Sequence, residues 1–234
     1  MSTTLFQRDM LSIADLSLSQ IRTILDLAAQ FKKKSLKVSL ANKIIAHCFF
    51  EPSTRTRLSF ESAALRLEAK VIGFANAESL SMTKGETFSD TIKTIDTYAD
   101  LLIVRHPREG AARLAAEVAQ HPVINAGDGA NQHPTQALAD LLTIEETQSR
   151  LTERAIAIVG DLKYGRTVHS LIQACARFNC RFYFIAPSLL TLPEDLSDEL
   201  KHQGIRFSYH RDLAEVIPKN RYIVYDTVAA RTFS

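Results

Sequence analysis

Five consecutive residues, Ser53-Thr54-Arg55-Thr56-Arg57, alternate hydroxyls with guanidiniums between the apolar run "KIIAHCFF" and an apolar helical pattern. Hydroxyl donors and a planar guanidinium fork suit phosphate or carboxylate. At a helix start they add to backbone N–H groups that lack an intrahelical acceptor, and to the positive end of the helix dipole. The plainer reading is a serine or threonine N-cap followed by solvated arginines. Placement at the carboxyl end of a strand favours an anion site, with Ser53, Thr54, Arg55 and Thr56 as donors and a structural role open to Arg57.

Other stretches place similar chemistry at strand ends. Arg105 closes "DLLIVR" just before His106-Pro107, where it either points into a cleft or leaves the sheet for solvent. In "NAGDGANQHPTQALAD" a glycine-containing polar loop leads to a helix start at His133-Pro134-Thr135-Gln136. Pro134 suits a first helical turn. A neutral imidazole at His133 can hydrogen-bond a carbonyl oxygen and polarise it, with Gln136 three residues on as a second substrate contact. Ser81 and Lys84 lie in the polar loop "ESLSMTKGETFSD", where a mobile surface lysine is the bland alternative.

"GDLKYGRTVHS" brings Arg166 to a further helix start and narrowly misses the phosphate-loop pattern G-x-x-x-x-G-K-[ST]. The arginine stands where that pattern needs lysine, and its wide fork fills poorly the place of a compact charge between phosphates. A second carboxylate- or phosphate-facing loop fits better than a nucleotide site. Arg55, Arg105, Arg166, His133, Gln136 and the hydroxyls thus converge on strand ends. The sequence offers no Cys or Ser nucleophile with a base, no metal cluster and no pair of catalytic carboxylates. Such a site holds anions and stabilises oxyanion charge without covalent catalysis.

The elements that must position these groups are short and alternate. Residues 43–50, 70–75, 100–105, 122–126, 155–160, 181–186, 205–210 and 221–226 read as buried strands, being short and β-branched or aromatic. Helical patterns fill 54–69, 86–98, 109–119, 134–149, 166–178 and 195–203, after a leading helix over about 16–33. In 54–69 the apolar stripe is Phe60, Ala63, Ala64 and Leu67. Repeated strand–helix alternation predicts an α/β fold with parallel sheets flanked by helices. The polar stretch "ETQSRLTER" (146–154) separates four strands from four. Two doubly wound domains follow, 1–150 and 151–234.

Composition narrows the classes. Of 234 residues 46% are hydrophobic and 23% charged, and the net charge of +2 gives no field that calls for nucleic acid. Cys48, Cys175 and Cys180 form no C-x-x-C pair, which argues against a disulfide framework or a zinc site. The start "MSTTLFQRDM" lacks the pattern of a signal peptide, and no apolar run is long enough to span a bilayer. The expectation is a soluble, cytoplasmic protein with no membrane partner.

"FFEPSTRTRLSFE", "KGET", "RHPREGAARLA", "NAGDGANQHPTQALADLLTI" and "GDLKYGRTVHSL" resemble blocks of the aspartate/ornithine carbamoyltransferase family, over about residues 8–218. The first and fourth blocks are shared by both branches; "KGET" and the arginine of "GDLKYGRTVHSL" resemble the aspartate branch. The resemblance implies carbamoyl phosphate and L-aspartate as substrates, no cofactor, and a homotrimer with shared active sites. It leaves room for a regulatory subunit. It implies that Ser53, Thr54, Arg55, Thr56 and Arg105 hold the phosphate. Arg55, Thr56, Arg105 and His133 polarise the carbamoyl oxygen, and Gln136 contacts the carbamoyl nitrogen. Lys84, with Ser81, reaches the site from a neighbouring subunit, and Arg166 binds a carboxylate of aspartate. Relatives of the loop carry serine four residues before the lysine, where this chain has Leu80.

Family chains run well past residue 234, which implies that the second domain is incomplete here, and they carry a Thr-Arg-x-Gln block near this point. Here Val228 follows Thr227, and Ala230 stands about where the glutamine falls. A chain ending there keeps the carbamoyl phosphate half but lacks a second arginine for aspartate, and is expected to make little carbamoyl aspartate. A catalytically weak form that only binds carbamoyl phosphate or assembles with partner chains is the alternative, ahead of an ornithine carbamoyltransferase.

Overall fold

The computed structural model describes residues 5–76, 85–216 and, as backbone, 222–225. Ser81, Lys84 and the tail residues Thr227, Val228 and Ala230 lie outside the described residues. The chain divides into two compact units, Met1–Thr135 and Gln136–Ser234.

The first unit opens with a short 3-10 turn, Ile13–Asp15, and helix α1, Leu18–Lys32. A capping box starts α1. The Ser17 hydroxyl accepts from the Gln20 N–H, and the Gln20 side chain accepts from the Ser17 N–H. Strands β1 (Ile44–Phe49), β2 (Lys70–Phe74), β3 (Leu101–His106) and β4 (Val123–Asp128) form a parallel sheet in the order β2-β1-β3-β4. Helices α2 (Thr54–Arg66), α3 (Phe88–Asp96) and α4 (Ala111–Val118) connect them. The period of two along β1 feeds two cores. Ala46 and Cys48 pack with Ile92, Leu102, Val104 and Ala115, while Ile45 and Phe49 pack with Ala64, Ile103 and Ala126 on the other face. Burial on both faces is why the central strands read as nearly unbroken apolar runs.

The second unit holds all but the start of α5 (Pro134–Gln148), then β5 (Ala155–Val159), α6 (Arg166–Ala176), β6 (Arg181–Ile185), α7 (Glu194–His202), β7 (Phe207–His210) and β8 (Tyr222–Tyr225). Its parallel sheet runs β7-β6-β5-β8. Ile156, Ala157, Ile158, Phe182, Phe184, Leu171, Ile172 and Leu200 are buried around it. All eight expected strands and all seven expected helices are present, but 205–210 is not a buried strand: β7 is an edge strand, with Tyr209 exposed.

Two expectations are corrected at the first sheet's edge. Residues 70–75 are not a buried strand: β2 is an edge strand, and Ile72 is 38% exposed. In the stripe assigned to 54–69, Ala63 is exposed and Ala64 alone is fully buried, with Phe60 and Leu67 half-buried. The cause is shared. Helix α2 packs on β1 and β2, and β2 has a neighbour on one side only, so half of the apolar stripe finds nothing to cover it.

Candidate active site

Strand order locates the crevices. In β2-β1-β3-β4 the chain leaves β1 and β3 in opposite directions, so their carboxyl ends flank a topological switch point. In β7-β6-β5-β8 the corresponding point lies between β5 and β8. The serine row and Arg105 lie at the first of these places and Arg166 at the second, whereas His133 and Gln136 follow β4, the edge strand next to β3.

At the first, the serine row opens α2 directly after β1. Ser53 occupies the N-cap with an extended backbone (φ −158°, ψ 101°), yet its side chain makes no capping hydrogen bond. The N-cap interpretation therefore holds for position but not for chemistry, and the helix start keeps its donors for an anion. Thr54 and Arg55 are exposed, Ser53 and Thr56 half-buried. Arg57 turns away into an ion pair with Glu61 one helical turn on (2.7 Å), which is the structural role open to it.

Arg105 lies beside this row. Phe49 pairs with Arg105 across β1 and β3, and the Phe50 N–H donates to the Arg105 carbonyl (2.8 Å). The guanidinium is largely buried, 12% exposed; Nη2 pairs with Glu51 Oε1 at 2.7 Å and Nη1 donates to the Ala126 carbonyl at 3.1 Å. Arg105 thus points into the fold rather than out to solvent, and it ties the β1–α2 connection to the end of β4.

The β4–α5 loop is built around one residue that the sequence reading quoted but did not assign, Asp128. It is 2% exposed. Its Oδ1 accepts from Asn125 Nδ2 (2.9 Å) and the Gln132 N–H (3.0 Å). Its Oδ2 accepts from Asn131 Nδ2 (3.0 Å) and the Gly110 N–H (2.9 Å). The carboxylate therefore clamps the loop before His133 to the start of α4. Gly129 completes the clamp: its N–H donates to the His106 carbonyl (2.9 Å), and it sits at φ +56°. A Cβ there would lie 2.8 Å from the Glu109 nitrogen, so no other residue fits. In the sequence the only available signal was an acid placed between two glycines, Gly127 and Gly129, with Asn125 and Asn131 close on either side.

His133, 7% exposed, stands at the end of that loop with Nδ1 3.4 Å from the Thr135 hydroxyl. His106, at the end of β3, is held below the usual imidazole range by burial and then by Arg108. Its Nδ1 accepts from the Arg108 N–H (2.9 Å), which places the proton of the neutral ring on Nε2.

Gln136 lies in the first turn of α5 and donates through Nε2 to Asp140 Oδ1 (2.9 Å). Burial pushes the Asp140 carboxyl up, against the lowering effect of that hydrogen bond. The raised folded-state value contributes stability that is complete below the unfolded carboxylate range and lost as pH rises through the folded one. Asp140→Asn is thus expected to be more stable than the parent at pH 7, with the difference vanishing below about pH 4. Urea titrations at the two pH values check this; a variant less stable at pH 7 would contradict it.

Arg166 is the first residue of α6, following the β5 loop at the second switch point. Asp161 Oδ1 accepts from both the Lys163 and Tyr164 N–H groups at 2.9 Å. A phosphate loop needs such amides free for the nucleotide. Their occupation by a carboxylate agrees with the arginine in place of lysine.

Among the described residues no three His, Cys, Asp or Glu side chains are grouped to hold a metal ion. No described helix is long and apolar enough to cross a membrane. The fold and its site define a class: a two-unit α/β protein with cationic, hydroxyl-rich crevices at the switch points of its sheets.

Comparison with known proteins gives the family. Residues 8–146 match the model "Aspartate/ornithine carbamoyltransferase, carbamoyl-P binding domain", and residues 152–233 match "Aspartate/ornithine carbamoyltransferase, Asp/Orn binding domain". The chain belongs to the aspartate/ornithine carbamoyltransferase family. It is 54% identical to the aspartate carbamoyltransferase catalytic subunit of Vibrio campbellii over 94% of its length and 72% of the relative's. It is 50% identical to that of Chromobacterium violaceum, over 92% and 71%. Among solved structures it is similar to the catalytic subunit of M. jannaschii aspartate transcarbamoylase (45% identity, TM-score 0.86, 93% of this chain and 73% of that one). It is also similar to Trypanosoma cruzi aspartate transcarbamoylase in complex with carbamoyl phosphate and aspartate (39%, TM-score 0.87, 94% and 72%).

Proposed function

We propose that the chain transfers the carbamoyl group of carbamoyl phosphate to the amine of L-aspartate, giving N-carbamoyl-L-aspartate and phosphate, as a step of pyrimidine biosynthesis in the cytoplasm. One observation carries this reading: a helix start without a side-chain cap, joined through Glu51 to a largely buried arginine at the switch point of the first sheet. The relatives named above supply the identity of the anion and of the acceptor.

In this account residues 1–150 bind carbamoyl phosphate and residues 151–234 contribute to binding aspartate. Ser53, Thr54, Arg55 and Thr56 receive the phosphate on the amides and dipole of α2, and Arg105 adds a second charge. Arg55, Thr56, Arg105 and His133 donate to the carbamoyl oxygen, where negative charge grows as the tetrahedral intermediate forms. Gln136 holds the carbamoyl nitrogen, and Arg166 a carboxylate of aspartate. The amine nitrogen bonds to the carbamoyl carbon, the bond from that carbon to the phosphate oxygen breaks, and the departing phosphate takes the proton that the amine loses. Positioning and oxyanion stabilisation do the chemistry, and no covalent enzyme intermediate forms. Ser81 and Lys84 complete the site from the neighbouring subunit of a homotrimer.

The test is acceptor choice. Carbamoyl aspartate is expected to form with aspartate and no citrulline with ornithine, whose cationic side chain has no use for Arg166. Arg166→Ala is expected to raise KM for aspartate by about 10- to 100-fold, the loss of one charge-assisted contact, with carbamoyl phosphate affinity unchanged. Equal turnover of both acceptors would overturn the reading.

A further inference from the structure

The turn that ends α6 brings two of the three cysteines together. The Cys180 N–H donates to the Cys175 carbonyl (3.3 Å) and the Asn179 N–H to the Ala176 carbonyl (2.9 Å), with Asn179 in the left-handed region at φ 54°. This is a Schellman motif, in which the side chains that flank the turn meet. Here those side chains are Cys175, 0% exposed, and Cys180, 2% exposed. The Cys175 thiol hydrogen-bonds to Cys180, whose own S–H donates to the Leu151 carbonyl at 3.2 Å. A hydrophobic pair usually occupies these positions. Two thiols there pack equally well as small apolar groups, but they also carry redox chemistry.

We propose that Cys175 and Cys180 are a peroxide-sensitive dithiol that closes into an intramolecular disulfide. The reaction lies outside the transferase activity and uses none of the residues assigned to it. Cys180 acts first. The hydrogen bond from Cys175 holds its thiol below the ordinary value, while the same bond, followed by burial, pushes Cys175 up. Its neighbours Asn179 and Arg181 are both exposed, so fraying of one helical turn admits an oxidant as small as hydrogen peroxide. The Cys180 thiolate attacks one peroxide oxygen, the O–O bond breaks, and hydroxide leaves and becomes water, giving a sulfenic acid. The Cys175 sulfur then attacks the Cys180 sulfur; the S–S bond forms, the S–O bond breaks, and the departing oxygen takes the Cys175 proton as a second water. Two thiols lose two electrons and one peroxide gains them. Cys48 provides an internal control, since it is fully buried in β1 and burial pushes its thiol up to about 12.

The experiment is peroxide treatment of the reduced full chain, denaturing alkylation and mass spectrometry. Arg177 lies between the two cysteines, so trypsin separates them and a disulfide-linked peptide pair is diagnostic. Before alkylation the expected result is an intact mass lower by about 2 Da, for the two hydrogens lost; after it the oxidised chain carries alkyl on Cys48 alone. The Cys175–Cys180 peptide pair should be released by dithiothreitol, and Cys48 should stay alkylated. In Cys175→Ser, dimedone is expected to trap a sulfenic acid on Cys180; in Cys180→Ser, Cys175 is expected to stay reduced. Absence of the linked pair from the folded parent chain, or oxidation of Cys48 as fast as Cys180, would overturn the proposal, and neither readout depends on the variants folding.

Discussion

Arg105→Ala is expected to lower kcat/KM for carbamoyl phosphate by about 100- to 1,000-fold, the usual effect of removing one oxyanion donor. The size of the loss follows from how much this one side chain holds. Its guanidinium makes a 2.7 Å ion pair with Glu51 and a 3.1 Å hydrogen bond to the Ala126 carbonyl, from a position only 12% exposed. Truncation takes away the cationic charge, releases the tether on the residues that precede Ser53, and leaves the Glu51 carboxylate facing the anion. Repulsion then adds to the lost attraction. Arg105→Lys restores the charge but not the fork, since an ammonium on a flexible stem cannot reproduce both contacts in one plane. Its activity is expected to lie between alanine and parent. Steady-state kinetics with circular dichroism as a folding check decide the matter. Alanine kinetics indistinguishable from the parent's would remove Arg105 from the site.

Asp128→Ala is expected to cost about 3 kcal/mol of stability or more, because four donors lose a buried charged acceptor together. The donors are Asn125 and Asn131 side chains and the Gln132 and Gly110 N–H groups. Asp128→Asn preserves the volume and one acceptor oxygen. Its amide nitrogen necessarily faces two of those four donors, so roughly half the loss is expected to remain, about 1.5 kcal/mol. Both variants are expected to raise KM for carbamoyl phosphate, because the loop that ends at His133 loses its anchor to α4. Urea unfolding and kinetics on the same samples separate the effects. An asparagine variant as stable as the parent would show that the loop is held elsewhere.

The two variants also mark what the sequence did and did not disclose. Strand and helix positions were legible because central parallel strands are buried on both faces and their connecting helices on one, which leaves strong periodic patterns. The pattern fails at β2, where an edge strand has the same β-branched composition as a central one and only sheet order exposes Ile72. The places of Ser53 to Thr56, Arg105, His133, Gln136 and Arg166 at or after strand ends were legible, because the strands and the turns that close them carry clear patterns; the roles given to these side chains are proposals. Asp128 was not legible, because its three local partners read as ordinary polar loop residues and the fourth, Gly110, lies in a separate stretch that composition cannot pair with it. The Glu51–Arg105 ion pair was hidden for the same reason: 54 positions separate its partners, and only the pairing of β1 with β3 makes them neighbours. The two cysteines, by contrast, are close in sequence, and it was their spacing of five rather than three that concealed the contact made by the left-handed turn at Asn179.

The central claim is that the row from Ser53 to Thr56, backed by Arg105, binds the phosphate of carbamoyl phosphate. Calorimetric titration of the whole chain with carbamoyl phosphate tests it most directly, with ATP as a control and inorganic phosphate as competitor. The account predicts saturable binding that phosphate displaces, no binding of ATP, and loss of the signal in Arg105→Ala. A folded sample that binds no carbamoyl phosphate, or binds it equally well without Arg105, would contradict it.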